Sequence, residues 1–508
     1  YMSMIHTIIS EELYDRDFVA RWCYGFDKLV GRARDYPPEK VADITWVPAE
    51  KIKEAARMYA TTKPAVIVHA MGAEQLANSI EALQARYILT AITGNLDIKG
   101  GEELRSTHPQ LIEEYEVELN EKLSPEQKRK QIGAERFKLF SRYGNELINR
   151  TAKSRLSSTH VTFAHAPSVY RAMITGRPYP VKALITAASN PLVTQPNVKL
   201  VYKALRSLDL YVVHDFWLTP SAELADYVLP SASWLERPNI KSRSDTASTI
   251  DAVEVPFPAV KEGEYERRTD YELWRGLGIR LGQKEYWPWK TLEEAYDYRL
   301  APLGYNLKDF VSKKGGHISF PREHQKYKRK GFATPTGKVE LYSTILERLG
   351  YDPLPRYYEP PESPISNPEL AKEYPLILTT GGRYQPFYHS EHRQIDSLRK
   401  QHPEPIAQLN PQTATELGIE DGDWIWIETP RGRVRQKCQH FKGIDPRVVH
   451  AQHGWWFPEL PGEEPWLHGV WESNINVVTE DDPDHCNKIS GGWPLRALLC
   501  KVYKVKQY

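Results

Sequence analysis

Between Gly381 and Arg393 the chain sets two glycines against four strong donors. Gly381-Gly382-Arg383 is followed closely by His389-Ser390-Glu391-His392-Arg393. The apolar run Pro375 to Leu378 in front of them reads as a strand, and the glycines as a loop whose backbone must approach something closely. Forked guanidinium donors and single imidazole donors suit a phosphate, or the heteroatom edge of a fused-ring cofactor. A solvated loop held by its own hydrogen bonds is the other reading of these residues taken alone.

The motifs that follow come in a definite order: Pro403-Glu404-Pro405, Asn410-Pro411-Gln412-Thr413-Ala414, Leu417-Gly418-Ile419-Glu420-Asp421-Gly422-Asp423, Thr429-Pro430-Arg431-Gly432 and His453-Gly454-Trp455-Trp456-Phe457-Pro458-Glu459. In this order they resemble the C-terminal domain of the molybdopterin oxidoreductases of the dimethyl sulfoxide reductase family. That resemblance implies a molybdenum or tungsten atom held by two molybdopterin guanine dinucleotides.

Length and composition set bounds. A chain of 508 residues exceeds one ordinary domain at roughly 100–200 residues each. Its 67 basic and 66 acidic side chains leave a net charge of +1, which gives no electrostatic case for nucleic acid. No apolar run approaches the ~20 residues of a membrane helix, so no direct membrane span is expected. The four cysteines, Cys23, Cys438, Cys486 and Cys500, are widely spaced and form no C-x-x-C pair. That pattern argues against structural zinc or an iron–sulfur cluster held by this chain, and reads as small buried thiols.

In chain order, Met4 to Leu13, Asp15 to Trp22 and Pro48 to Ala60 have helical spacing. Pro64 to His69 has the character of a buried strand, Gly72 that of a tight turn or a weak phosphate loop, and Ser79 to Thr93 is helical again. From Ser168 the pattern is helix, strand (Val181 to Ile185), loop (Ala187 to Thr194), helix (Asn197 to Leu208) and strand (Leu210 to Val213), ending at His214-Asp215. Ligands of open parallel sheets bind beyond the carboxyl ends of the strands, so the Asn190 loop and the His214-Asp215 loop should line one crevice. Taken singly, Asn190-Pro191 reads equally as a turn, and Asp215 and Asp270 as helix N-caps. Prolines crowd Tyr351 to Pro368 and mark a linker. Trp424 to Ile427 and Val434 to His440 alternate with period two, and short strands with glycine turns mean a closed or nearly closed barrel.

The expected fold class is therefore α/β, with open, mostly parallel dinucleotide-binding domains followed by a C-terminal β-barrel, of double-psi type by resemblance. The expected divisions are residues 1–98, the end of one α/β cofactor-binding domain; 99–348, a second with a charged insertion; 349–372, the linker; and 373–508, the barrel. Carried over residue by residue, the resemblance assigns Asn190 and Thr194 to one dinucleotide and His214, Asp215 and Thr219 to its guanine, although glutamine is commoner where His214 stands. Ser231 becomes a phosphate or ribose contact and Asp270 an acidic contact. Gly382, Arg383, His389, Ser390, Arg393, His453 and Asn476 face the pterins and their phosphates. The Trp455-Trp456-Phe457 run reads as core packing before substrate funnel.

No catalytic residue and no protein ligand to the metal is identified. The resemblance places that ligand, a 4Fe–4S cluster and any leader ahead of Tyr1, so the chain is expected to be a fragment, inactive alone, whose compartment is not legible. The expected activity is two-electron or oxygen- or sulfur-atom transfer on a small substrate of the polysulfide, thiosulfate or sulfoxide sort, with an iron–sulfur electron-transfer subunit as a candidate partner. The alternatives are a non-redox hydratase like acetylene hydratase, then a formate dehydrogenase, then a scaffold subunit. Formate oxidation is disfavoured because only Arg105, followed by Ser106-Thr107-His108, stands where formate dehydrogenases carry their active-site run.

Overall fold

The computed structural model describes residues 1–506 except 70, 105–110, 120, 121, 140, 144–163, 243–248 and 256–264; Arg105 to His108 thus lie outside the described residues. The first unit packs helices Met2–Ser10, Arg16–Trp22, Ala49–Thr61 and Ser79–Ile92 around Ile5, Ile8, Leu29, Leu89 and Ile92. Asp15 starts the second helix by accepting the Phe18 N–H at 2.9 Å. Strand β1 (Cys23–Tyr24) follows.

Pro64 to His69, expected as a buried strand, forms no strand pairing among the described residues. Side chains satisfy its backbone instead of a ladder: Arg86 Nε and Nη2 donate to the Ile67 carbonyl, and Asn95 Oδ1 accepts the Ala65 N–H. Ala65 and Ile67 pack on the helices while Val68 is 86% exposed. Gly72 lies inside the helical turn Met71–Glu74.

The second unit carries a parallel sheet of β2 (Ala183–Ala187), β3 (Leu210–Asp215) and β4 (Tyr227–Pro230). Helix Val198–Arg206 follows the expected spacing and buries Val198, Val201, Ala204 and Leu205 against it. An insertion, β5 (Asn239–Ser242), β6 (Thr249–Val253) and β7 (His317–Ser319), forms an antiparallel sheet over its own core of Ile240, Ile250, Leu300 and Phe310. The chain then returns to the first unit: β8 (Val339–Glu340) pairs with β1, and Tyr327, Leu341 and Leu354 join that core.

Six strands close the barrel: β9 (Leu376–Gly382), β10 (Ile406–Leu409), β11 (Trp424–Thr429), β12 (Gly432–His440), β13 (Val448–Gln452) and β14 (Arg496–Lys504), in the order β10-β12-β11-β14-β9-β13. Alternation explains the closure. Ile425 and Ile427 point inward and are fully buried, while Trp424 and Trp426 lie outside beneath Arg435 and Arg433.

The barrel and the parallel sheet share one hydrophobic core, and polar pins fix their relation. Asp481, 2% exposed, accepts Arg171 at 2.8 and 2.9 Å and Asn197 at 2.9 Å. Asp481→Ala removes the acceptor of all three bonds. Because Arg171 is partly solvated, the expected loss is about 2 kcal/mol of stability, read as a lower unfolding midpoint; an unchanged midpoint contradicts the pin.

Candidate functional site at the rim of the barrel

Strand β9 ends in Gly381, at φ +93°, and Gly382. The loop beyond it bends back through His389 (φ +51°) and His392 (φ +70°), left-handed conformations that cost residues with a Cβ and concentrate at functional sites. Three groups hold the loop from beneath. Trp456 Nε1 donates to the Ser390 carbonyl at 2.9 Å and Arg393 Nη1 to the His389 carbonyl at 2.7 Å. Gly454 lies so close that a Cβ there would sit 3.0 Å from the His389 carbonyl oxygen.

Arg393 is 2% exposed, between the rings of Phe387 and Trp455, with Nε unpartnered. Burial pushes its guanidinium down to about 9, helped by Arg399. Arg393 therefore sits under the loop and carries positive charge into it, while Arg383 stands exposed at the mouth beside Tyr388. Among the described residues neither arginine has a carboxylate partner within 4 Å. Trp455 and Trp456 are buried core residues and line no open funnel.

His389 and His453 form a directional pair. His453 Nδ1 faces the Gly382 carbonyl at 3.1 Å, and a carbonyl only accepts, so Nδ1 carries the proton. Burial, with Arg383 and Arg393 nearby, pushes His453 down to about 4 and also lowers His389. In the neutral pair His453 Nε2 must accept, at 2.9 Å, from His389 Nδ1. The remaining nitrogen, His389 Nε2, is left as a bare acceptor.

The second group of expected residues gathers at the carboxyl ends of β2, β3 and β4. Asn190 Oδ1 accepts from Ser221 at 2.7 Å while its Nδ2 is buried and unpartnered, and Thr194 caps the same turn through the Asn190 carbonyl. Asp215 caps the Phe216 and Trp217 N–H groups, and burial raises its carboxyl despite them. Thr219 accepts the Ala222 N–H, and Ser231 bridges to Arg268. His214 is committed inward: Nδ1 faces Asp270 at 3.0 Å and Nε2 the Arg268 carbonyl at 3.2 Å. Asp270 is not the N-cap of its helix, because Thr269 and Glu272 form the capping box there and release its carboxylate to His214.

Asn476 belongs with neither group. Its amide donates to the Val193 carbonyl at 3.0 Å, beside Asn474, and so pins the barrel to the helical turn that follows Asn190. The two groups approach each other where Trp234 meets both Phe216 and His392. Two members of the rim carried no sequence signal: His402, stacked on Tyr384 at 5.2 Å, and Tyr384 itself, whose hydroxyl is buried and unpartnered.

The four cysteines are buried thiols, and burial raises them all, Cys23, Cys438 and Cys486 to about 12. The rim thus offers two arginines that have no carboxylate within 4 Å among the described residues, left-handed backbone and orphaned donors, which fit an anionic cofactor and do not fit a hydrophobic ligand.

Comparison with known proteins agrees. Residues 1–280 match the molybdopterin oxidoreductase family and residues 376–492 the Molydopterin dinucleotide binding domain. The chain belongs to the molybdopterin oxidoreductases of the dimethyl sulfoxide reductase family, whose members are enzymes that use a molybdenum or tungsten molybdopterin cofactor. It is 37% identical to acetylene hydratase of Syntrophotalea acetylenica over 99% of this chain and 69% of that protein. The solved structure of acetylene hydratase from Pelobacter acetylenicus superposes with a TM-score of 0.91 at 38% identity, over 99% of this chain and 70% of that one. The molybdopterin-containing subunit of thiosulfate reductase from Salmonella typhimurium is 27% identical over 93% of this chain and 63% of its own length.

The depressed histidines give a pH dependence with a definite sign. The unfolded chain titrates near 6.5 and folded His453 near 4, so the unfolded state binds more protons between those values and stability falls as pH drops through that window. For His453 the loss approaches ~3 kcal/mol at its limit. Unfolding midpoints measured from pH 7 to pH 4.5 should fall for the wild type and less steeply for His453→Gln; equal slopes contradict the neutral pair.

Proposed function

We propose that this chain is part of the catalytic subunit of a bis-molybdopterin guanine dinucleotide enzyme that adds water to a small unsaturated molecule. The cofactor reading rests on the rim: among the described residues Arg383 and Arg393 have no carboxylate within 4 Å, and the His389–His453 bond leaves His389 Nε2 as an acceptor beside them. The choice of hydration rests on the likeness to acetylene hydratase, which spans the chain at higher identity than the likeness to thiosulfate reductase. Transfer of an oxygen or sulfur atom to a polysulfide, thiosulfate or sulfoxide is the second reading, favoured by the latter relative.

When bound, the metal with its dithiolene sulfurs supplies a centre that polarises water or a multiple bond. The residues of this chain bind and orient it. Arg383 meets an anionic oxygen at the mouth, and Arg393 keeps the loop positive from beneath. His389 Nε2 accepts an N–H or O–H from the bound group, and His453 fixes that ring. At the sheet ends Asn190 Nδ2 supplies a donor and Asp215 an acceptor suited to the amino edge of a guanine. The four buried thiols are poor ligands, so we assign neither the metal's protein ligand nor a 4Fe–4S cluster to them.

Hydration needs no net electrons: acetylene and one water give vinyl alcohol, which rearranges to acetaldehyde. The intact gene product, purified anaerobically with its metal, should release acetaldehyde from acetylene with no electron acceptor present. Reduction of thiosulfate or a sulfoxide by a reduced dye, with no acetaldehyde formed, would replace the hydratase reading with the second.

A further inference from the structure

Two cavities lie side by side between the first unit, the linker and the barrel. The outer one, about 240 Å³, is walled by Tyr36, Val41, Ile44 and Ala85 and reaches the surface at Arg356 and Tyr357, both exposed. The inner one, about 350 Å³, is walled by Leu76, Pro360, Pro361, Pro494 and Leu498. Asn78, Ala82 and Tyr357 line both, so these three residues form the waist between them. On its barrel side the inner cavity meets Arg496, whose Nη2 would lie 2.6 Å from a Cβ added at Gly381. The pair of cavities therefore leads from the surface to the glycine end of β9, where the rim begins.

The sequence keeps the inner wall apolar. Pro360, Pro361 and Pro494 bring no N–H donor to it. The polar side chains there are turned to partners. Asn78 spends Oδ1 and Nδ2 on the backbone of Tyr358 at 2.8 and 2.6 Å, and the Tyr357 hydroxyl donates to Glu359 at 2.7 Å. Glu362 accepts the Leu499 N–H at 3.1 Å and pairs with Arg431, while Glu480 accepts from His485 Nδ1 at 2.8 Å. Arg496 Nε is the exception, buried without a partner among the described residues. A cavity with so few free polar groups holds water poorly and takes small apolar molecules instead. Ala82, on helix Ser79–Ile92, puts no more than a methyl group into the waist, so a larger residue there would close it.

We propose that the two cavities are the route by which a small apolar substrate reaches the rim, and that Ala82 sets the width of the waist and so selects substrates by size. This rests on the hydration reading above. An alkyne of a few carbon atoms has no polar group to leave unpaired in such a passage. Thiosulfate or a sulfoxide would lose water from its oxygens there and find almost nothing to replace it.

The test compares wild type, Ala82→Val and Ala82→Phe in the intact gene product, purified anaerobically with its metal. Xenon is located in pressurised crystals of each, and kcat and the Michaelis constant for acetylene are measured beside metal and acid-released GMP. Wild type should hold xenon in both cavities. Ala82→Phe should exclude xenon from the inner cavity and raise the Michaelis constant roughly tenfold or more at unchanged kcat, metal and GMP, because it obstructs entry and leaves the chemistry alone. Ala82→Val, the smaller obstruction, should raise it less. An unchanged Michaelis constant in the variants, or acetaldehyde formed by a wild type that holds xenon in neither cavity, overturns the route. Loss of metal or GMP from Ala82→Phe, or a fall in kcat alone, would assign the space to holding the cofactor and equally overturn it. A wild type that forms no acetaldehyde overturns the hydration reading itself, and the route with it.

Discussion

Positive charge held without a partner is the constraint on which this structure turns. A guanidinium half out of water is stabilised by a carboxylate, as Arg86 is by Glu102, Arg171 by Asp481 and Arg399 by Glu459. Among the described residues Arg383 and Arg393 have no carboxylate within 4 Å, and both stand at the loop beyond the glycine end of β9. Such charge opposes folding while it is unmet, and under the proposed function an anionic cofactor is what meets it.

The rest of the fold keeps that arrangement from relaxing. The barrel closes so that β9 cannot slide, although its pairing shifts register opposite Leu378 and Thr379 on β14 and between Thr380 and Gly382 on β13. Trp456, Gly454 and Arg393 hold the His389 loop in a backbone conformation it would otherwise leave. Asp481, Asn474 and Asn476 fix the barrel against the parallel sheet, so the rim and the sheet ends are set relative to one another before any ligand binds. This is preorganisation: the ordering cost falls on folding and is not charged to the affinity for the cofactor.

The family, the α/β class and the barrel were legible in the sequence because they rest on local patterns: motif order, period-two alternation and glycine turns. The run Pro64 to His69 pairs with no strand among the described residues, because an apolar run becomes a strand only beside another, and Arg86 and Asn95 bond its backbone instead. The crossing of the chain back to β1 through Tyr327 to Leu354, and the pairing of Asp270 with His214, are likewise long-range facts that no local pattern carries. Which donors are spent internally, as in His214 and Asn476, can be read only from the folded chain.

The most direct measurement is a structure of the cofactor-loaded protein that locates the phosphate oxygens. The account predicts an anionic oxygen about 3 Å from the guanidinium nitrogens of Arg383, and a donor from the cofactor at His389 Nε2. A cofactor whose anionic groups lie elsewhere, with Arg383 turned to a carboxylate of the protein, would contradict it.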